Sequence, residues 1–154
     1  MYDFKYQKAS SVADAAKAIG ADADAKLVAG GMTLIPTLKQ RLAKPSALID
    51  LGGIADLKGI KRDGNAIVIG AMTTHFAVST SADVKKAIPA LAHLAAHIGD
   101  PAVRNRGTIG GSISNNDPAA DYPSAALALG ATIKTTKRTI AADDFFQGMF
   151  STAL

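Results

Sequence analysis

The sequence predicts an α+β fold in two lobes that meet near Gly52. Three observations lead there. Helical and strand-like apolar spacings alternate over the first fifty-odd residues, as in a small βαβ unit. After Gly52-Gly53 the pattern changes to paired short strands and alanine-rich helical runs. Of the 154 residues 48% are hydrophobic, but only 5% are aromatic and alanine is the commonest type. Such a core suits close approach of helix and sheet. About 150 residues make one ordinary domain, burying roughly 68–70% of the surface its unfolded chain exposes.

The first lobe, residues 1–52, reads as follows. Tyr2 to Tyr6 alternates aromatic and polar residues, which suits a short edge strand. Ser10-Ser11 offers an N-cap, and Val12, Ala15, Ala16 and Ile19 recur at helical spacing up to Gly20. Asp22 to Asp24 is a turn. Lys26 to Ala29 is an apolar strand running into Gly30-Gly31. Thr33 caps a second helix with Leu34, Leu38 and Leu42 on its apolar side, and Pro45 ends it. Pro36 is tolerated in the first turn, where its missing N–H has no helical partner. Ala47 to Leu51 is the next strand.

The second lobe spans residues 53–154. Leu57 to Ile60 and Ala66 to Ile69 read as a hairpin turned at Arg62 to Asn65. Ser81 to Ile98 is helical, bent or restarted at Pro89. Thr108-Ile109-Gly110-Gly111 leads into a polar run, Ser112 to Asp117. Asp117-Pro118 supplies a cap and first-turn proline for an Ala/Leu helix ending near Gly130. Ala131 to Thr135 and Thr139 to Ala141 form a last strand pair around Lys137-Arg138.

Several function classes are excluded by what is missing. The chain has no cysteine, so it offers no disulfide, thiolate zinc site, iron–sulfur ligation or cysteine nucleophile. All 13 acidic residues are aspartates, which removes any glutamate acid/base pair. The net charge is +4, but the basic residues are scattered and lack interleaved aromatics, so no nucleic-acid partner is expected. No apolar stretch approaches the ~20 residues of a spanning helix. With no signal-like segment at Met1 to Lys5, the expected location is cytoplasmic.

Two constellations suit a ligand. Val28-Ala29-Gly30-Gly31-Met32-Thr33-Leu34 is a strand–glycine–helix junction. Paired glycines admit close backbone approach, and successive amides with a helix N-terminus suit a phosphate or pyrophosphate. Thr108-Ile109-Gly110-Gly111-Ser112 repeats the glycine pair and is followed by a dense polar run to Asp121. A polyhydroxyl ligand would partner such a run; an exposed, capped loop is the alternative. Arg104 and Arg106 precede it and read as surface residues able to offset phosphate charge. His93 and His97 stand four apart with no third metal ligand, and His75 stands alone.

With these motifs the chain resembles the FAD-binding medium subunit of molybdenum hydroxylases, the group of aerobic carbon monoxide dehydrogenase and xanthine dehydrogenase. The family patterns A-G-G-x-[ST] and T-[IV]-G-G-x fall on Ala29–Thr33 and Thr108–Ser112, and D-x-P on Asp121-Tyr122-Pro123. The carbon-monoxide-dehydrogenase-type branch is the most similar. The match runs from Tyr2 to Leu154. Met32 stands where relatives often carry His or Gln, and Ser112 where Asn is common.

The resemblance implies a fold of the PCMH/vanillyl-alcohol-oxidase type, with a small βαβ lobe and a larger, mainly antiparallel lobe with helices. It implies FAD held by Val28, Ala29, Gly30, Gly31, Met32, Thr33 and Leu34 at its pyrophosphate. Lys26 would approach the adenine side. Thr108, Ile109, Gly110, Gly111 and Ser112 would form a second clamp, and Asp121 would accept hydrogen bonds from ribityl or ribose hydroxyls. It implies no metal and no catalytic acid or base on this chain. Partners would be an iron–sulfur small subunit and a molybdopterin large subunit in a hetero-oligomer. The family continues past Leu154 into further strands and a C-terminal domain, so a shortened, non-catalytic docking module is the alternative expectation. A nucleotide-binding domain without redox chemistry is a third.

Overall fold

The structure, a computed structural model, describes residues 1–154. The first lobe is a three-stranded parallel sheet covered on both faces. Its strands are β1 (Lys5–Lys8), β2 (Lys26–Val28) and β3 (Ala47–Asp50), in the order β1-β3-β2. The central strand pairs Tyr6 with Leu48 on one side and Leu48 with Lys26 on the other. Helix α1 (Val12–Ala21) covers one face, where Ala9, Ala15, Ala25, Ile49 and Ile54 are buried together. Helix α2 (Leu34–Lys39) covers the opposite face, where Leu38 packs on Val28 and Leu48.

Ser11 caps α1 as expected, its hydroxyl accepting from the Asp14 amide at 3.1 Å. Three first-lobe expectations are corrected. The first strand is Lys5–Lys8 rather than Tyr2–Tyr6, because pairing with β3 rather than aromatic alternation sets its register. Helix α2 stops at Lys39, with Arg41 left-handed at φ 61° and Leu42 exposed. Thr33 is itself helical in conformation and makes no side-chain cap.

The second lobe is mainly helical, with antiparallel strands arranged as separate hairpins. After a short 3-10 turn, Ala55–Leu57, come β4 (Ile60–Asp63) and β5 (Ala66–Ile69). The tight turn is therefore Gly64-Asn65, with Gly64 at φ 58°, and the first strand starts at Ile60 rather than Leu57. Helices α3 (His75–Thr80), α4 (Ala82–Ala87), α5 (Pro89–His97) and α6 (Pro101–Arg106) follow. Pro89 restarts the chain as α5, consistent with proline at a first helical position. Then come α7 (Ile109–Asn115), α8 (Asp121–Ala128), the hairpin β6 (Thr132–Lys134) and β7 (Thr139–Ala141), α9 (Ala142–Phe145), and the hairpin β8 (Phe146–Gly148) and β9 (Ser151–Thr152). Asp117 does not cap α8, which begins at Asp121; its carboxylate accepts from the Ala119 amide at 2.9 Å in a local turn. Val78, Val84, Leu91, Ala92, Ala95 and Tyr122 form the buried core, on which Ile60, Ile67 and Ile69 of the first hairpin pack.

The lobes meet backbone to backbone. A β-carbon at Gly30 would stand 1.9 Å from the Arg106 carbonyl oxygen and 2.9 Å from Gly107 Cα. Only glycine permits that approach.

Candidate functional site

The two glycine turns face each other across the lobe boundary. A β-carbon placed on Gly111 would lie 3.9 Å from Ala29 Cβ, ordinary contact distance. The structure thus brings together Ala29–Thr33 and Thr108–Ser112, which the sequence separates by some eighty residues.

Their backbones are used in opposite ways. In the first turn the amides of Gly30, Gly31, Met32, Thr33 and Leu34 donate to no group of the protein. Gly31 makes the turn possible with φ 74°. Five consecutive free donors on a half-buried loop are a ready anion site. Helix α2 has only six residues, so these amides, rather than a macrodipole, supply the attraction. In the second turn the four amides from Ile109 to Ser112 are all engaged. Ile109 donates to Thr73 O, Gly110 to Ala71 O and Ser112 to Thr108 O, at 2.9–3.0 Å. Gly111 donates to the Thr108 hydroxyl at 3.2 Å, so Thr108 caps α7 and is itself only 4% exposed. Gly110 is glycine for packing, since a β-carbon there would meet Ala71 O at 2.6 Å.

What the second turn offers a ligand is therefore side chains. The Ser112 hydroxyl makes no hydrogen bond within the protein, and neither does the carboxylate of exposed Asp121 at the start of α8. Lys26 is exposed at the start of β2. Val28 turns its side chain into the core with Leu38 and Leu48, so it offers backbone alone. Ile109 is partly buried against the second-lobe core.

Beside Gly30 and Gly31 lies an open recess of about 310 Å³, walled by Phe4, Tyr6, Leu48, Asp50 and Arg106. The Tyr6 hydroxyl donates to Asp50 at 2.5 Å, and the Gly52 amide donates to the same carboxylate at 2.7 Å. Burial pushes the Asp50 carboxyl up, but the Tyr6 hydroxyl, the Gly52 amide and the Lys8 and Arg106 charges hold it below the ordinary carboxylate range. The same hydrogen bond raises Tyr6. Sequence reasoning missed this pair, because 44 residues separate its members and only the β1–β3 pairing joins them. Sequence reasoning placed Arg106 on the surface, able to offset phosphate charge, without locating it beside the first turn. The residue is exposed, but it leans over the first turn from the other lobe.

The polar run after the second turn is tied down by Asn116. This buried residue is left-handed at φ 46°, and its side-chain amide donates to Gly148 O at 2.7 Å and Ser151 O at 2.9 Å. His93 and His97 stack at 4.0 Å on α5, and no cluster of three metal-ligating side chains exists.

A two-lobed α+β domain with an amide cradle facing a glycine–serine turn defines a dinucleotide-type cofactor binder. The chain belongs to the family of FAD-binding domains in molybdopterin dehydrogenases, whose sequence model matches residues 2–154. It is 42% identical to the carbon monoxide dehydrogenase medium chain of Hydrogenophaga pseudoflava, over 98% of this chain and 54% of that one. It is 38% identical to the nicotine 6-hydroxylase medium subunit of Paenarthrobacter nicotinovorans, over 97% of this chain and 54% of the relative. Among solved structures, carbon monoxide dehydrogenase from Hydrogenophaga pseudoflava superposes with a TM-score of 0.96 at 42% identity, covering 99% of this chain and 55% of that one. Quinoline 2-oxidoreductase from Pseudomonas putida 86 superposes with a TM-score of 0.95 at 37% identity. The chain spans about half the length of the curated relatives it matches. No helix is long and apolar enough to cross a membrane.

Proposed function

We propose that this chain is the FAD-binding part of an electron-transfer subunit in a molybdenum hydroxylase of the carbon-monoxide-dehydrogenase type. Its partners in that reading are an iron–sulfur small subunit, from which electrons arrive, and a molybdopterin large subunit. An external acceptor takes the electrons onward. When bound, FAD supplies the redox chemistry, and the protein supplies binding, orientation and electrostatics.

The residues fit such a ligand. The free amides from Gly30 to Leu34 suit the diphosphate, with the Thr33 hydroxyl as a further donor. Arg106 adds positive charge beside the same loop. Lys26 stands at the start of the strand that feeds the loop, toward the adenine side. Gly111 and Ser112 close the cleft from the second lobe, Ser112 through its hydroxyl. The Asp121 carboxylate suits the ribityl or ribose hydroxyls, since an ionised acid accepts hydrogen bonds and cannot donate them. Domain boundaries at residues 1–52 and 53–154 belong to the same reading, with the cofactor lying between the lobes.

The observation that carries this function is the run of unpartnered amides opposite Gly111. Titrating the flavin-free protein with FAD, followed by flavin absorbance and fluorescence, tests it. Stoichiometric binding with a perturbed flavin spectrum is expected. A well-folded chain that takes up no flavin would instead favour a docking module, and one that binds ADP equally well a plain nucleotide binder.

A further inference from the structure

His75 is the first residue of α3 and is only 5% exposed, yet it makes no side-chain hydrogen bond through Nδ1. It sits between the two halves of the site. On one side its ring lies against Gly107, where a β-carbon would come within 2.6 Å of Nε2. Gly30 of the first turn packs on that same Arg106–Gly107 backbone. The His75 amide donates to Gly107 O at 3.1 Å, and the neighbouring Thr74 bridges to Thr108. On its other side the ring stacks on Tyr122 with centroids 5.1 Å apart, and Tyr122 follows Asp121 at the start of α8. One side chain therefore touches Gly107, which both seats the first turn and precedes the second, and Tyr122, the neighbour of the free carboxylate.

We infer that His75 is a positioning residue: its uncharged ring is the spacer that sets the first turn, the second turn and Asp121 at their working separation. The inference rests on the flavin reading for its consequence, but not for its geometry. A cationic imidazole would need an acceptor for each ring N–H, and buried Nδ1 has none. The Tyr122 hydroxyl on the facing ring is likewise buried without a partner, so the contact works through shape rather than through a hydrogen bond. Burial accordingly pushes His75 down, against an opposing pull from Asp121.

Four variants of the full chain test this: His75→Ala, His75→Gln, Gly107→Ala and Val78→Ala. Val78 lies on the same helix, fully buried in the second-lobe core. FAD affinity and amide exchange at Ile109 and Gly110 are the readouts. His75→Ala is expected to weaken FAD binding about tenfold or more, as removal of a supporting shell does elsewhere, and to speed exchange at both amides. Gly107→Ala should do the same from the other side. His75→Gln, uncharged and of similar volume, should retain affinity within a few-fold. Val78→Ala should lower stability without the selective loss. The inference is overturned if His75→Ala keeps wild-type affinity and exchange, or if Val78→Ala matches it in both. Should His75→Ala not fold, the Gln and Gly107 variants decide, and equal losses in the two would overturn the inference. A wild-type chain that binds no flavin refutes the proposed function, and the exchange arm then still judges His75 by itself.

Discussion

The two glycine turns share a sequence pattern and differ in what their backbones do. Ala29–Thr33 keeps a row of amides without partners, while Ile109–Ser112 commits every amide to holding α7 against Ala71, Thr73 and Thr108. The first leaves its amides free for a ligand. The second is a structural joint, and in the proposed reading its contacts to the cofactor fall to Ser112 and, further on, to Asp121. A glycine pair near a helix start thus does not announce a phosphate cradle. The destination of its amides decides.

Even within the first turn, the two glycines have separate roles. Gly31 supplies a left-handed conformation, whereas Gly30 supplies contact between lobes. Gly30→Ala should therefore have the largest effect. Overpacking ordinarily costs about 1–3 kcal/mol, and here the colliding group is backbone that a side-chain rotation cannot clear. Thermal unfolding should show the loss, and FAD binding should fall with it. Wild-type stability in this variant would mean that the lobes do not meet at Gly30.

Next in size is the pair Thr108→Ala and Thr33→Ala. Thr108 caps α7 from a buried position, so its removal should cost about 0.5–2 kcal/mol. Thr33 caps nothing, so its removal should stay within about 0.5 kcal/mol in unfolding experiments. Its effect should appear in FAD affinity instead. If the two variants behaved alike in chemical denaturation, the contrast between the turns would be lost.

Asp121→Asn should weaken FAD by roughly tenfold, in line with about 1.5 kcal/mol or more for a hydrogen bond to a charged group. Ser112→Ala should cost only a few-fold, as a neutral hydrogen bond of about 1 kcal/mol does. Both are read by flavin titration, and the reverse ranking would move the weight of the second clamp onto the serine.

The smallest effect is on pH. Burial lowers His75 in the folded chain, so the unfolded chain binds its proton more readily. Its stabilising contribution is whole above the unfolded value near pH 6.5 and falls as pH drops through that value toward the folded one. Asp50, held low in the folded state, adds a second loss only at more acid pH, below the ordinary carboxylate value. Unfolding midpoints between pH 8 and pH 5 check the His75 part, and midpoints below about pH 4 the Asp50 part. His75→Gln should flatten the upper part of the profile.

Elements of both lobes were legible where their signals are local. Ser11 and the spacing of Val12, Ala15 and Ile19 mark α1, and Pro89 marks the start of α5. That the two motifs clamp one cofactor was implied by the family resemblance they carry. What escaped lies in tertiary structure. Helices α3 and α6 are six residues each, too short to show a period. The start of β1 depends on its pairing with β3. The β8–β9 hairpin depends on Asn116, some thirty residues away. His75 looked solitary because Gly107 and Tyr122 reach it only through folding. The state of the backbone amides, on which the two turns differ, is carried by no residue type at all.

That difference can be measured directly by residue-resolved amide exchange with and without FAD. Without ligand, Ile109 to Ser112 should already be protected and Gly30 to Leu34 should exchange freely. Adding FAD should protect Gly30 to Leu34 and leave the second turn nearly unchanged. Protection at Gly30 to Leu34 before FAD is added, or a ligand-induced change confined to Ile109 to Ser112, would contradict the account.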